Sequence, residues 1–164
     1  SMGGAIAMEL ARQNPKKINR LLLLSPAGLT GKPMSIPRPL DQIGVWFLRQ
    51  KCVRRSLCRQ AFAEPSLMVG PQEEQIASFH LSVPGWGRSL AEFARSGGIA
   101  NYGTPIPPQP IDVLWGAKDK ILNASQKKEA MDLFGSQLEE LDNCGHLPHL
   151  DLPNIVASHW LKNS

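Results

Sequence analysis

The sequence is short of the features that mark membrane, secreted and nucleic-acid-coating proteins. No apolar run comes near the ~20 residues of a bilayer span; Leu21-Leu22-Leu23-Leu24 is as long as any and has the length of a strand. Cysteines number three, at 52, 58 and 144, without a Cys-x-x-Cys pair. They cannot all pair within the chain, and a disulfide scaffold is excluded. Free thiols in a reducing, cytoplasmic compartment are the expectation. The first residues lack a basic stretch ahead of an apolar one, so no signal peptide is expected. Acidic residues are missing from one place in particular: between Gln42 and Ala63 there are five basic residues and no acidic one. The whole chain has 18 Lys and Arg against 14 Asp and Glu, and without that segment 13 face 14. A near-neutral protein with one basic segment is not a general nucleic-acid binder, and no nucleic-acid partner is expected.

What is present is a globular composition, 42% hydrophobic and 20% charged over 164 residues. At roughly 150 residues per domain the length predicts one domain. The stretch GGAIAMELARQNP is rich in strong helix formers and is stopped by Pro15. The apolar run of RLLLLS follows, suited to a strand buried on both faces of a parallel sheet. From about Thr30 to Pro110 the texture changes. Prolines at 33, 37 and 39 open this stretch and prolines at 105, 107, 108 and 110 close it. Between them Trp46, Val53 and Leu57 fall at i, i+7 and i+11, which predicts one helical face. The stretch reads as a mostly helical insert. Strand–helix alternation then returns: IDVLWG is a strand, Ala124 to Phe134 a helix capped by Asn123 or Ser125, Gln137 to Leu141 a strand, and Leu152 to Leu161 a helix entered through Pro153. The pattern predicts an α/β fold with about three parallel strands flanked by helices. Core segments at 1–29 and 111–164 then enclose an insert at 30–110.

Three fragments in chain order carry chemistry: SMGG at the start, WGAKD ending at Asp119, and CGHLPHL containing His146. With LLLLSPAGL, LWGAKDKIL and NCGHLPHLDLP, they resemble the α/β-hydrolase superfamily, in which a nucleophile-elbow serine is followed by an acid and then a histidine. Two groups within it look most similar: the meta-cleavage-product (carbon–carbon bond) hydrolases, and the chlorophyll-dephytylase-like esterases, the latter through RSGG at Arg95 to Gly98 and the last third of the chain. The resemblance implies a partial α/β-hydrolase fold that starts at the nucleophile, because the two residues before the serine and the strands before the elbow have no counterpart here. It implies Ser1 as nucleophile, Asp119 as the acid, His146 as the base and the Met2 backbone N–H as an oxyanion donor. Gly3 and Gly4 would let the helix pack closely behind the turn. It also implies a hydrophobic ester as substrate, no cofactor, and a missing N-terminal part of the same fold as partner. On that reading the strand at Leu21–Leu24 is an open apolar edge, and the isolated chain is expected to aggregate and to be inactive.

Structural alternatives stand beside each role. Ser1 could be a helix cap and Asp119 a loop acid, with Asp112 and Asp142 as rivals. His146 and His149, spaced i, i+3, have no supporting carboxylate or cysteine constellation, so no metal site is expected; His149 reads as loop packing or pocket wall. His80 and His159 read as ordinary helix residues, and Cys144 as a buried small hydrophobe. The resemblance makes the insert a cap over the site, with Trp46, Phe47, Trp86 and His149 as its substrate-pocket candidates. In the cap, Lys51, Arg55 and Arg59 recur at i, i+4 and i+8, a repulsive spacing that an anionic partner would offset. The candidates are a membrane surface, a substrate carboxylate or the missing part of the fold, and the alternative is a solvated cap face with no partner. The alternative functions are carbon–carbon bond hydrolysis on the same triad and a catalytically silent binding protein.

Overall fold

The computed structural model describes residues 1–162. Helix α1 spans Met2–Gln13 and ends at Asn14, where the backbone leaves helical geometry ahead of Pro15. Strand β1 is Leu21–Leu24. A long helical stretch follows: α2 (Leu40–Arg49), α3 (Lys51–Gln60), α4 (Pro65–Met68), α5 (Pro71–Ile76), a 3-10 turn at Phe79–Ser82 and α6 (Trp86–Arg95). The chain then returns to β2 (Ile111–Gly116), α7 (Ala124–Phe134), β3 (Leu138–Leu141), α8 (Pro148–Asp151) and α9 (Pro153–Lys162). The strands are parallel in the order β1-β2-β3. Leu21 is in register with Ile111 and Leu24 with Leu114 on one side of β2; Gly116 is in register with Leu141 on the other. All three strands therefore run out at the same edge of the sheet.

Alternation along the strands builds two cores. Leu21, Leu23, Ile111, Val113 and Trp115 pack with Met8 and Ala11 of α1 and Ala130 and Phe134 of α7. Leu22, Leu24 and Leu114 face the other way, toward Leu141, Cys144, Leu152 and Val156. Such two-sided burial is what a continuous apolar strand in a parallel sheet requires. Asn123 caps α7, accepting from the Gln126 amide while the Gln126 side chain accepts from the Asn123 amide.

The single helical face expected through Trp46, Val53 and Leu57 is not formed. Helices α2 and α3 are separate, broken at Gln50, whose backbone is extended. The Arg54 guanidinium donates to the carbonyls of Leu48 and Arg49, which the end of α2 leaves without helical partners, and to Ser78 Oγ (3.0 Å). The basic run is also partly neutralised from within, because Arg55 pairs with Glu74 at 2.6 Å.

Candidate active site

The turns that follow the strand ends meet at one point. After β2, the Ala117 amide donates to Leu141 O (2.9 Å) and the Lys118 amide to Cys144 O (2.8 Å), which ties the Asp119 turn to the His146 loop. Glycine is needed where these segments cross. A Cβ at Gly116 would overlap the carbonyl oxygens of Gly145 and Cys144, and one at Gly145 would lie 2.6 Å from Ala61 O. The result brings Asp119 and His146 together: Nδ1 of His146 lies 2.9 Å from Oδ2 of Asp119, with side-chain exposures of 6% and 3%. Oδ1 of Asp119 accepts from the amides of Ile121 (2.8 Å) and Leu122 (3.1 Å), which fixes the carboxylate plane.

Burial acts to raise the Asp119 pKa, but the His146 hydrogen bond and the two amides outweigh it and hold the carboxyl below its ordinary value. The ionised carboxylate can only accept, so Nδ1 of His146 carries the proton in this hydrogen bond. His149, on α8, has its pKa lowered by desolvation, then by the Ser1 amine and by His146. The Ser1 amine is itself lowered by burial and opposed by the charge of Asp119.

Ser1 stands at the start of α1, with its amine on Leu24 O at 3.1 Å. Its carbonyl accepts from Gly4 and Ala27. Its side chain makes no capping bond. Met2 opens α1 half-exposed. The close packing expected behind the turn falls on Gly4, where a Cβ would lie 2.5 Å from Pro26 Cβ; Gly3 meets nothing. Asp112 sits within β2 and pairs with Arg20 (2.8 Å), and Asp142 is exposed. His80, in the 3-10 turn, lies against the Trp86 ring at a tilt of 40°, and His159 lies in α9 near Asp112 and Glu139. Trp46 and Phe47 are exposed on α2. Trp46 lines a cleft between α2 and α6 whose walls include neither Asp119 nor His146, and Trp86 starts α6. Cys52, Cys58 and Cys144 are free thiols. Cys144 is fully buried, and burial, then the charges of Asp151 and Asp119, pushes its thiol up to about 12.

Asp151 is a residue that sequence reasoning missed. Its Oδ2 accepts from the Gly145 amide (2.6 Å) and the Ala63 amide (3.1 Å), while the His146 amide donates to Ala61 O (2.8 Å). The histidine loop is thus pinned to the end of α3. The only hint in the sequence was an acid five residues after His146, just ahead of Pro153.

Comparison with known proteins places this geometry in a family. The alpha/beta hydrolase domain-containing protein VTE7 of Arabidopsis thaliana is 25% identical over 163 residues, 96% of this chain and 49% of that protein. The chain spans about half the length of the curated relatives it matches. Among solved structures it is similar to the 2-hydroxy-6-oxo-6-phenylhexa-2,4-dienoate hydrolase of Rhodococcus sp. strain RHA1 (TM-score 0.70, 19% identity, 99% of this chain and 60% of that one). It is likewise similar to a bacterial membrane phospholipase A (TM-score 0.68, 22% identity, 99% and 54%). At these identities the structural likeness is one of fold. The model of the alpha/beta hydrolase family matches residues 1–159, and with the parallel sheet and the meeting of its strand-end turns this makes the chain a member of the alpha/beta hydrolase family.

Proposed function

We propose that this chain carries the catalytic groups of a serine hydrolase that cleaves a carboxylic ester of a hydrophobic substrate through an acyl-enzyme. In this reading it corresponds to the C-terminal portion of such an enzyme, with residues 30–110 as its cap. The observation that carries the reading is the buried hydrogen bond between Asp119 and His146, at the sheet edge where Ser1 is anchored to Leu24. The half-length coverage of the relatives supports the second part.

A serine hydroxyl is a weak nucleophile until a base accepts its proton. His146 Nε2 takes that proton as Ser1 Oγ attacks the acyl carbon. Asp119 holds the imidazole in the tautomer that leaves Nε2 free and stabilises the imidazolium that forms. The Met2 N–H faces the oxyanion; losing one such donor costs about 3–4 kcal/mol in the transition state. The alkoxide leaves with the proton from His146, and a water deprotonated by His146 then releases the acid. These three side chains balance the reaction without a metal or cofactor.

Fluorophosphonate labelling of a full-length version tests this. Ser1→Ala is expected to abolish labelling and Asp119→Asn to slow it by orders of magnitude. Undiminished labelling of Ser1→Ala would sink the assignment. On p-nitrophenyl esters, turnover is expected to favour long acyl chains over acetate.

A further inference from the structure

The cleft between α2 and α6 encloses about 460 Å³ and gathers four arginines on its walls: Arg38, Arg49, Arg88 and Arg95. They come from distant parts of the sequence, so their meeting is a product of the fold. Arg95 is spoken for by an ion pair with the buried Asp41. Among the described residues, Arg38, Arg49 and Arg88 have no carboxylate partner. Glu92 is the one acid on the wall. With Arg95 cancelled and Glu92 offsetting one of the others, two positive charges are left over around a single cavity. The same wall also carries the apolar Val45, Trp46 and Ala91, with Gln42 and Gly87 beside them.

Arg49 is also held in place. Its guanidinium lies over the Trp86 ring, 6.0 Å from the centroid. Its Nη2 occupies space that a side chain at Gly87 would take, since a Cβ there would stand 2.8 Å from it. A guanidinium seated against a glycine and an aromatic face is oriented before any ligand arrives, which lowers the ordering cost of binding. The basic run of α3, by contrast, spends Arg54 and Arg55 on internal bonds.

We infer that this cleft is a binding site for an anionic amphiphile: a monomer with an oxyanion head, phosphate or carboxylate, for the arginines, and a hydrocarbon stem for the wall at Val45, Trp46 and Ala91. The planar guanidinium fork matches the paired oxygens of either head. The inference does not rest on the Ser1–Asp119–His146 reading, and its test involves no turnover.

The test is titration of a purified full-length version with dodecyl phosphate below its micelle concentration, read by tryptophan fluorescence. Saturable binding is expected, with the signal lost in Trp46→Phe. Arg49→Gln and Arg88→Gln are each expected to weaken binding about tenfold, the worth of one hydrogen bond to a charged group. Gly87→Ala weakens it severalfold with the charge count unchanged, because the new methyl displaces Arg49. Dodecanol binds at least tenfold more weakly, and inorganic phosphate competes only at high concentration. Equal affinity for dodecanol would overturn the inference. So would unchanged affinity in the Arg49→Gln/Arg88→Gln double variant, a full signal in Trp46→Phe, or a response confined to phosphatidylglycerol vesicles, which would make this face a membrane-docking surface instead.

Discussion

Replacing Asp151 by alanine is expected to loosen the histidine loop without touching any group that reacts. One carboxylate oxygen holds two amides, Gly145 at 2.6 Å and Ala63 at 3.1 Å, and both of those residues are buried. A hydrogen bond to a charged group is worth about 1.5–3 kcal/mol, and a buried donor left unpaired carries its full desolvation penalty. Asp151 itself is only half-buried, so water can reach part of the gap. The expected loss is therefore the low end for two bonds, about 3 kcal/mol. For a chain of this size that lowers the melting temperature by roughly 6–12 °C. Asp151→Asn keeps an acceptor oxygen and loses the charge, so it should cost about half as much. Thermal denaturation followed by circular dichroism measures both, and amide exchange at Gly145 and Ala63 localises the effect. A shift below about 2 °C in Asp151→Ala, or unchanged exchange at both amides, would refute the bridging argument.

Three further outcomes follow from the same geometry. Asp119 has a lowered pKa in the fold, so its contribution is fully present above the unfolded carboxylate value of about 3.9 and is lost as pH falls through the lower folded value; in Asp119→Asn the acid limb of a stability–pH curve should flatten, and an unchanged limb would exclude the coupling. Burial raises the thiols of Cys58 and Cys144, the latter to about 12, so at neutral pH a thiol reagent should titrate exposed Cys52 quickly and Cys144 only on unfolding; fast labelling of Cys144 would contradict the packing. The protonated Cys144 thiol also contributes stability below its unfolded value of about 8.5 that is lost as pH rises toward 12. Gly116→Ala drives a methyl into the Gly145 and Cys144 carbonyls and should cost about 3 kcal/mol or more while parting Asp119 from His146, visible as a melting shift together with lost fluorophosphonate labelling.

The sheet and the residues of the Asp119–His146 pair were legible because their signals are local. Leu21–Leu24 and Ile111–Gly116 are apolar runs bounded by Pro and Gly, and Asn123 with Gln126 spells a capping box in four residues. Asp119 and His146 each follow a strand, where groups gather at the edge of an open α/β sheet. What stayed hidden depends on distant partners. The break at Gln50 has no Pro or Gly to announce it; Arg54 bonds the carbonyls at the end of α2 and also Ser78, 24 residues on. The bridge at Asp151 reaches back 88 residues to Ala63. The clustered charges at 49–59 drew notice because they adjoin in sequence, yet the unpaired guanidiniums of the α2–α6 cleft come mostly from outside that run, Arg49 alone belonging to it.

Strand β1 is four identical residues long, and that uniformity has a consequence for how the chain finds its alignment. Sliding a strand by one residue normally exchanges its buried and outward faces and is penalised by every side chain. In Leu21–Leu24 the exchange puts leucine where leucine was, so the strand body carries almost no positional information. Alignment must be written at its ends. Arg20 reaches across to Asp112 on β2 at 2.8 Å before the leucines begin, and after they finish Pro26 seats against Gly4, where any larger residue would collide. Substitutions inside the run should therefore be forgiving, while a change at Arg20 or Gly4 would blur where the Ser1 end of the sheet stops.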